Sequence, residues 1–389
     1  MNLMASPNPQ AVKTVNRKPI FPILRTGTKD TYVMAFFVQL SWSAWLTHIL
    51  FGLGLTILSA AITWTMLHRI RVMDIPNERS SHVRPIPRSG GVAMVAAFLA
   101  GVAAIYLFGD RTPIVTRYFQ GFMLSALAIA AISLYDDIKR KSFVVKLATQ
   151  AIAAVVVLIS GLVIDEIGIP WLGLIKLGWL SYPLSFFWIM GLTNAYNFMD
   201  GLDGLAAGQA VIVSFFFLLI TLSQGSIFIY ITSYAILAGS LGFLIFNFPP
   251  ARIFMGDVGS AFLGFVFAIM AIIAARYDHS HTSFFVMPLL LFNFIYDTLF
   301  TFIRRLIKGE NVTEAHRTHL YQLFSRLGYS HRTVSLSHYA MSVLQGLGAI
   351  YMVNIVGDKR ILIFLPFLGM QAVYSVLIVK RARNCGLLS

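Results

Sequence analysis

Long apolar runs broken by short polar stretches set the pattern of this chain. A helix that crosses a bilayer needs about 20 mostly apolar residues. Eleven runs approach that length: 46–67, 90–108, 118–135, 145–163, 179–195, 208–223, 226–246, 259–275, 284–303, 338–356 and 360–379. The fifth is short and holds Pro183, and only Ser223 to Ser226 part the sixth from the seventh. The expected fold is all-α, a polytopic integral membrane protein of about 11 transmembrane helices with catalytic cytoplasmic loops. It divides into an N-terminal extension (1–45), a transmembrane domain (46–380) and a cytoplasmic tail (381–389). Residues 31–45 run into the first span without a turn. With the basic start they resemble a signal peptide that continues too long, and Met34 is a candidate start.

Composition agrees with the pattern. Of 389 residues, 57% are hydrophobic and only 12% charged, where a soluble domain carries about 25% charged residues. That excludes a soluble globular protein and disorder. The net charge of +14 would suggest nucleic acid in a soluble protein; here it follows the positive-inside rule. Placing the loop after the first span in the cytoplasm puts 19 Lys and Arg on that side and 6 on the other, with five more in residues 1–30. The lone Cys385 permits no intrachain disulfide and no cysteine-built metal site.

The acids then carry the chemistry. Of 16 Asp and Glu, nine fall in the proposed cytoplasmic loops, and Asp297 lies inside the ninth run, where a helix could point it toward them. Carboxylates beside a membrane without a matching cation suggest a metal or a proton task. The first loop, 74–91, holds three prolines, Gly90-Gly91, and Arg79, Arg84 and Arg88, a candidate phosphate cradle. The second opens with Asp136-Asp137, adjacent carboxylates of which one could hold a raised pKa and move a proton, unless a cation or lysine keeps both ionised. In the third, Asn194 and Asn197 precede Asp200-Gly201-Leu202-Asp203-Gly204. A helical turn would put Asp200 and Asp203 on one face, and with no Lys or Arg in the stretch they need another counter-charge, which a metal–phosphate unit would meet. In the fourth, Asp257 sits between glycines before an apolar run, with Asn247 and Phe254 as candidate partners of a base; Phe254 alone reads more simply as packing. In the fifth, His316 and His319 flank Arg317 on an expected helix. No third strong zinc ligand is near, so phosphate contact by imidazolium and guanidinium is the better reading.

Together these segments resemble the polyprenyl-phosphate sugar-1-phosphate transferases of glycosyltransferase family 4, which include phospho-N-acetylmuramoyl-pentapeptide transferase. The matching segments are Asp136-Asp137, Asn197 to Leu205, Asn247 to Ser260 and the histidine loop at 316–322, in that order, over about residues 46–380. The resemblance implies Asp257 as the principal ligand of Mg²⁺ (or Mn²⁺), and Asp200 and Asp203 as the pair near metal and diphosphate, with Asn197 at the same centre. It implies a uridine pocket of Gly201, Leu202, Asn247 and Phe254. Asp136 and Asp137 fall on the lipid-phosphate side, one as general base, and His316 and His319 in the basic motif. Arg79, Arg88 and Arg317 are expected at the substrate. Two departures, His316-Arg317-Thr318-His319 with only two histidines and Asn77 to His82 in the first loop, argue against a muramoyl-pentapeptide substrate.

The implied reaction moves an N-acetylhexosamine-1-phosphate from a UDP-sugar to undecaprenyl phosphate in the bacterial inner membrane. The expected partners are undecaprenyl phosphate, a UDP-N-acetylhexosamine and the lipid bilayer, with a homodimer left open and no nucleic acid. The competing class is a secondary transporter, which would place its site at the bilayer midplane on broken helices, usually with internal repeats. A lipid-binding scaffold would not need four acidic sites. The CDP-alcohol phosphotransferase pattern fails at Leu205, where Asp-Gly would be followed by Ala-Arg.

Overall fold

The computed structural model describes residues 42–70, 72–76, 84–108, 114–139, 143–277, 282–312, 314, 316–355 and 357–388. Almost all of the expected extension 1–45 lies outside them, as do Arg79 and the Asn77–His82 segment.

The described chain is mostly helical: α1 (Trp42–His68), α2 (Val92–Phe108), α3 (Thr116–Lys139), α4 (Phe143–Ser160), α5 (Ser181–Phe198), α6 (Leu205–Ser223), α7 (Ile227–Asn247), α8 (Asp257–Ile272), α9 (Val286–Leu290), α10 (Phe292–Ile307), α11 (Leu320–Arg326), α12 (His331–Val353) and α13 (Phe364–Asn384). Six segments are long and apolar enough to cross a bilayer: Trp45–His68, Thr116–Lys139, Leu205–Ser223, Phe228–Asn247, Asp257–Arg276 and Lys359–Asn384. This is the architecture of a multi-pass membrane protein. The expected count of about 11 is not confirmed among the described residues. Val92–Ala104 and Val144–Ser160 are apolar but too short. The run 284–303 is cut at Leu291 into α9 and α10. And α5, α10 and α12 carry polar residues such as Asn194, Asp297, Arg305 and His338 that lower their hydropathy.

The all-α expectation also needs amendment. Two short antiparallel hairpins are present, Val72–Asp74 with Ile86–Arg88 and Glu166–Ile169 with Gly173–Lys176. The prolines and glycines of the first loop thus shape a hairpin whose tip lies outside the described residues.

The core is built around α8. Every residue from Val258 to Ile272 is buried, and α3 and α5 pack against it. A helix apolar on all sides suits a position with no polar face to present. By contrast α1 and α13 leave most of their apolar side chains exposed, among them Ile57, Val373 and Val376. Between apolar helices in a bilayer, close approach is the main source of packing energy, and small residues permit it. A Cβ on Gly264 would lie 2.8 Å from the Leu192 carbonyl, so α8 touches the α5 backbone there.

The same device fixes the loop ends. Phe254 N–H donates to the Pro87 carbonyl at 2.8 Å, and Gly90 and Gly91 N–H donate to Phe254 and Met255 carbonyls at 2.9 and 2.8 Å. A Cβ on Gly91 would lie 2.4 Å from Gly259 Cα. Gly90-Gly91 therefore zips the first loop to the fourth and brings Arg88 to the start of α8.

Candidate active site

Asp257 opens α8, and four elements meet on it. Gly256 before it has φ 73° and ψ 171°, a conformation that favours glycine. That turn exposes the first N–H groups of the helix. Asp137 takes two of them: its Oδ1 accepts from Asp257 N–H at 3.1 Å and its Oδ2 from Val258 N–H at 3.2 Å. A carboxylate from a neighbouring helix thus caps α8. Arg88 donates to the Asp137 carbonyl.

The Asp257 carboxylate is held on both oxygens. Lys146, on α4, donates from Nζ to Asp257 Oδ2 at 2.6 Å and to Asn197 Oδ1 at 2.8 Å. Asn197 Nδ2 donates to Asp257 Oδ1 and to Ser260 Oγ, both at 2.8 Å. Second, third and fourth loops are therefore joined in one hydrogen-bonded unit. Lys146 brings a cation to this unit, bonded to Asp257 and Asn197 rather than to the acids of the third loop. Sequence reasoning missed this residue because it was counted among the basic loop positions; its place one turn inside an apolar helix was the available signal.

Asp200, half-buried after the end of α5, completes the acid cluster. Burial, then the charges of Asp257 and Asp137, push its carboxyl up to about 8, with Lys146 acting in the opposite direction. Among the described residues no hydrogen-bond donor sits on its side chain. Asp203 does not join it. The segment from Asp200 to Gly204 is a non-helical link, so the two acids are not on one helical face. Asp203 Oδ1 faces His331 Nδ1 at 3.1 Å, and its Oδ2 accepts from Ala251 N–H at 3.0 Å. Burial works against its charge, but the His331 and Ala251 hydrogen bonds win and hold its pKa below the usual carboxylate value.

Asp136 and Asp137 do not act as an adjacent pair. Consecutive helix positions point about 100° apart; Asp137 is buried under α8 while Asp136 remains half-exposed. Asn247 is buried, with Oδ1 accepting from Gly204 N–H at 3.1 Å and Nδ2 donating to the Ile253 carbonyl at 2.8 Å. It ties the third loop to the fourth. Gly201 lies under Tyr321, whose hydroxyl a Cβ there would approach to 2.2 Å, and Leu202 is buried. Phe254 is half-buried where the first and fourth loops are zipped together.

The histidine loop is organised by Asp297, only 1% exposed. Its carboxylate accepts from Leu320 and Tyr321 N–H at 2.9 and 3.0 Å and from Thr301 Oγ1 at 3.1 Å, and it faces His319 Nδ1 at 3.2 Å. Opposite a carboxylate that ring nitrogen carries the proton. His316 and His319 precede α11 rather than lying on it, and their rings sit 4.9 Å apart. Burial first, then the His319 and arginine charges, lower His316 to about 4, which favours the neutral ring. Tyr321 Oη donates to the Phe198 carbonyl at 2.8 Å, joining this loop to the end of α5. Arg305 holds the preceding turn through Glu310 Oε2 and the carbonyls of Asn311 and Glu314. Arg317 is half-buried, its carbonyl accepting from Arg326 Nη1.

Among the described residues no three His, Cys, Asp or Glu are grouped to hold a metal by themselves. What the cluster does offer is two neighbouring carboxylates, Asp257 and Asp200, next to one lysine.

Comparison with known proteins meets this geometry. The description "Glycosyl transferase family 4" matches residues 119–275, which contain Asp136, Asp137, Lys146, Asn197, Asp200, Asp203 and Asp257. A probable undecaprenyl-phosphate N-acetylglucosaminyl 1-phosphate transferase of Bacillus subtilis (strain 168) is 33% identical over 311 residues, 79% of this chain and 85% of that protein. The decaprenyl-phosphate N-acetylglucosaminephosphotransferase of Mycobacterium leprae (strain TN) is 31% identical over 76% of this chain and 80% of its own. A phospho-N-acetylmuramoyl-pentapeptide-transferase of Leuconostoc citreum (strain KM20) is 35% identical over 48% of this chain and 62% of its own. With that extent of shared sequence laid over the acid cluster, the chain belongs to glycosyl transferase family 4.

Proposed function

We propose that the protein transfers an N-acetylhexosamine-1-phosphate from a UDP-sugar to undecaprenyl phosphate. UMP leaves, and the product is the lipid-linked sugar on which a cell-surface, O-antigen-like glycan starts. One observation carries this reading: Asp257, clamped by Lys146 and Asn197 and seated on Asp137, with Asp200 beside it. Phosphoryl transfer depends on positioned charge more than on covalent chemistry. The names of the relatives support the acceptor and sugar classes. The B. subtilis match spans 79% of the chain and the muramoyl match 48%, in line with an N-acetylhexosamine donor.

The lipid phosphate oxygen bonds to the phosphorus attached to the sugar, and the bond from that phosphorus to UMP breaks. Mg²⁺ takes one or two carboxylates and completes its sphere with water and phosphate oxygens. Asp257 and Asp200 fit that donor set, and the burial and neighbouring carboxylates that lift Asp200 suit a divalent cation there, with Mn²⁺ able to replace Mg²⁺. Bound there, the cation would neutralise charge growing on the departing UMP.

Lys146 orients the Asp257 carboxylate and brings an ammonium to the diphosphate. Asp136, half-exposed on the lipid-phosphate side, suits the lipid phosphate, while Asp137 caps α8. A lipid monophosphate is already largely ionised at neutral pH, so its placement matters more than proton removal. Phe254, Gly201 and Leu202 suit the uridine, with Asn247 holding their two loops together. Arg88, Arg317 and His319 suit phosphate oxygens. Direct in-line attack inverts the phosphorus, and a two-step route through an aspartyl intermediate retains it. The excess of Lys and Arg in the loops that carry these residues supports a cytoplasmic active face.

The test is UMP release by the purified protein in lipid nanodiscs with undecaprenyl phosphate, Mg²⁺ and a panel of UDP-sugars. Release with a UDP-N-acetylhexosamine, abolished by EDTA, is expected. No UMP with any sugar overturns the proposal and favours the transporter reading.

A further inference from the structure

We infer that His331 is a positioning residue. With Ser335 and Tyr339 it forms a seat on α12 that fixes the Asp200–Gly204 link, so that Asp203 anchors the link and does not itself meet the diphosphate.

The three residues are four apart, which on a helix puts them on one face over about 12 Å. All three bond the same short segment. His331 Nδ1 faces Asp203 Oδ1 at 3.1 Å. Ser335 Oγ donates to the Asp203 carbonyl at 2.8 Å. Tyr339 Oη donates to the Gly204 carbonyl. From the other side, Ala251 N–H donates to Asp203 Oδ2 at 3.0 Å, and Asn247 Oδ1 accepts from Gly204 N–H at 3.1 Å. Five bonds from two elements thus hold two consecutive residues. The segment is short, glycine-flanked and non-helical, and Gly204 has φ 72°. Such a stretch has high conformational entropy unless it is tied down.

The placement of α6 depends on the same face. A Cβ on Gly208 would lie 2.0 Å from the Tyr339 hydroxyl, so the tyrosine ring lies directly on the first turn of α6. Both Asp203 carboxylate oxygens are occupied by groups outside the acid cluster. The charges that act on Asp200 are Asp257, Asp137 and Lys146; those that act on Asp203 come from His331. Two acids three residues apart therefore look into different environments. The consequence for function is indirect: the seat sets where Asp200, Gly201 and Leu202 lie.

The inference rests on the proposed transfer for its kinetic readout alone. The experiment uses the full chain in nanodiscs, with His331→Leu, which removes the ring donor, His331→Asn, whose Nδ2 can take the place of ring Nδ1, and Ser335→Ala as a milder variant. Amide hydrogen exchange is followed over residues 200–205, with the remote hairpin 166–176 as control. Exchange at 200–205 is expected to rise about tenfold in His331→Leu and less in Ser335→Ala, to return toward wild type in His331→Asn, and to stay unchanged in the hairpin. UMP release is expected to fall about tenfold in kcat for His331→Leu, with KM for undecaprenyl phosphate unchanged and rescue by His331→Asn. Unchanged exchange at 200–205 in His331→Leu overturns the inference. So does an Asn variant as inactive as the Leu variant, which would make His331 a group acting on substrate. If the wild-type protein releases no UMP, the exchange result still decides the positioning claim.

Discussion

Asp297 and Asp200 are both half-hidden or hidden carboxylates beside the same loops, and they are treated in opposite ways. Asp297 is enclosed by four donors: two backbone N–H groups, a threonine hydroxyl and a histidine ring. It is a clamp, and its charge is fully answered inside the protein. Asp200 shares a site with Asp257 and Asp137, and the single Lys146 ammonium is bonded to Asp257. Lys146 offsets only part of the burial and like charge that act on Asp200. A satisfied buried acid specifies structure. An unsatisfied one marks where a ligand must bring the missing charge. Asp203 stands with Asp297 in this comparison, although its spacing from Asp200 suggested a pair.

The comparison breaks most sharply at Asp257. Asp257→Asn is expected to lower Mg²⁺-dependent UMP release by about 10³-fold or more, with a modest drop in the thermal unfolding midpoint from the disturbed Lys146 and Asn197 bonds. Near wild-type release would remove Asp257 from the proposed metal set. Lys146→Met tests the counter-charge bonded to Asp257, with UMP release expected to fall about 10²-fold. Full activity in that variant would mean that Asp257 needs no cation from the protein.

Asp297→Asn should reverse the pattern, costing stability first. An amide offers one acceptor oxygen and turns its NH₂ against a backbone N–H, a loss of about 3 kcal/mol. The readouts are thermal unfolding in detergent and proteolysis within residues 316–326. A variant as stable as wild type would show that the clamp is not needed to hold α11.

The smallest effect belongs to His316 and is a matter of pH. Its folded pKa of about 4 lies below the ordinary 6.5. The folded state therefore favours the neutral ring, and the unfolded state binds the proton more readily. Stability is full above pH 6.5 and declines as pH falls from there toward 4. His316→Gln should flatten that part of the stability profile and leave the neutral-pH midpoint nearly in place. An unaltered slope would mean that the ring is not held neutral.

The segments that carry the site were legible because each compresses an unusual set of residues into a few positions: Asn197 to Asp203, Asn247 to Asp257, His316 to His319. Their partners were not. Lys146 is 111 residues from Asp257, His331 is 128 from Asp203, and Asp297, although visible as an acid that a helix could turn toward the loops, gave no sign that His319, Leu320 and Tyr321 are its partners. A lone charge in an apolar stretch tells little about what it faces until the helices are packed. Only six of the expected spans are long and apolar enough among the described residues, and part of the reason is related. Polar residues that serve the site lower the hydropathy of α5, α10 and α12, and the break at Leu291 leaves no trace in composition.

What the sequence alone determined was the solvent and the inventory: a chain with 12% charge must bury most of itself in lipid, and its acids must gather in loops. Only the tertiary structure decided which donors reach each acid. Role depends on how many donors reach each carboxylate, and those donors come from helices far apart in the chain. Asp137 became a helix cap, Asp203 and Asp297 anchors, and Asp200 with Asp257 the pair left with charge to share.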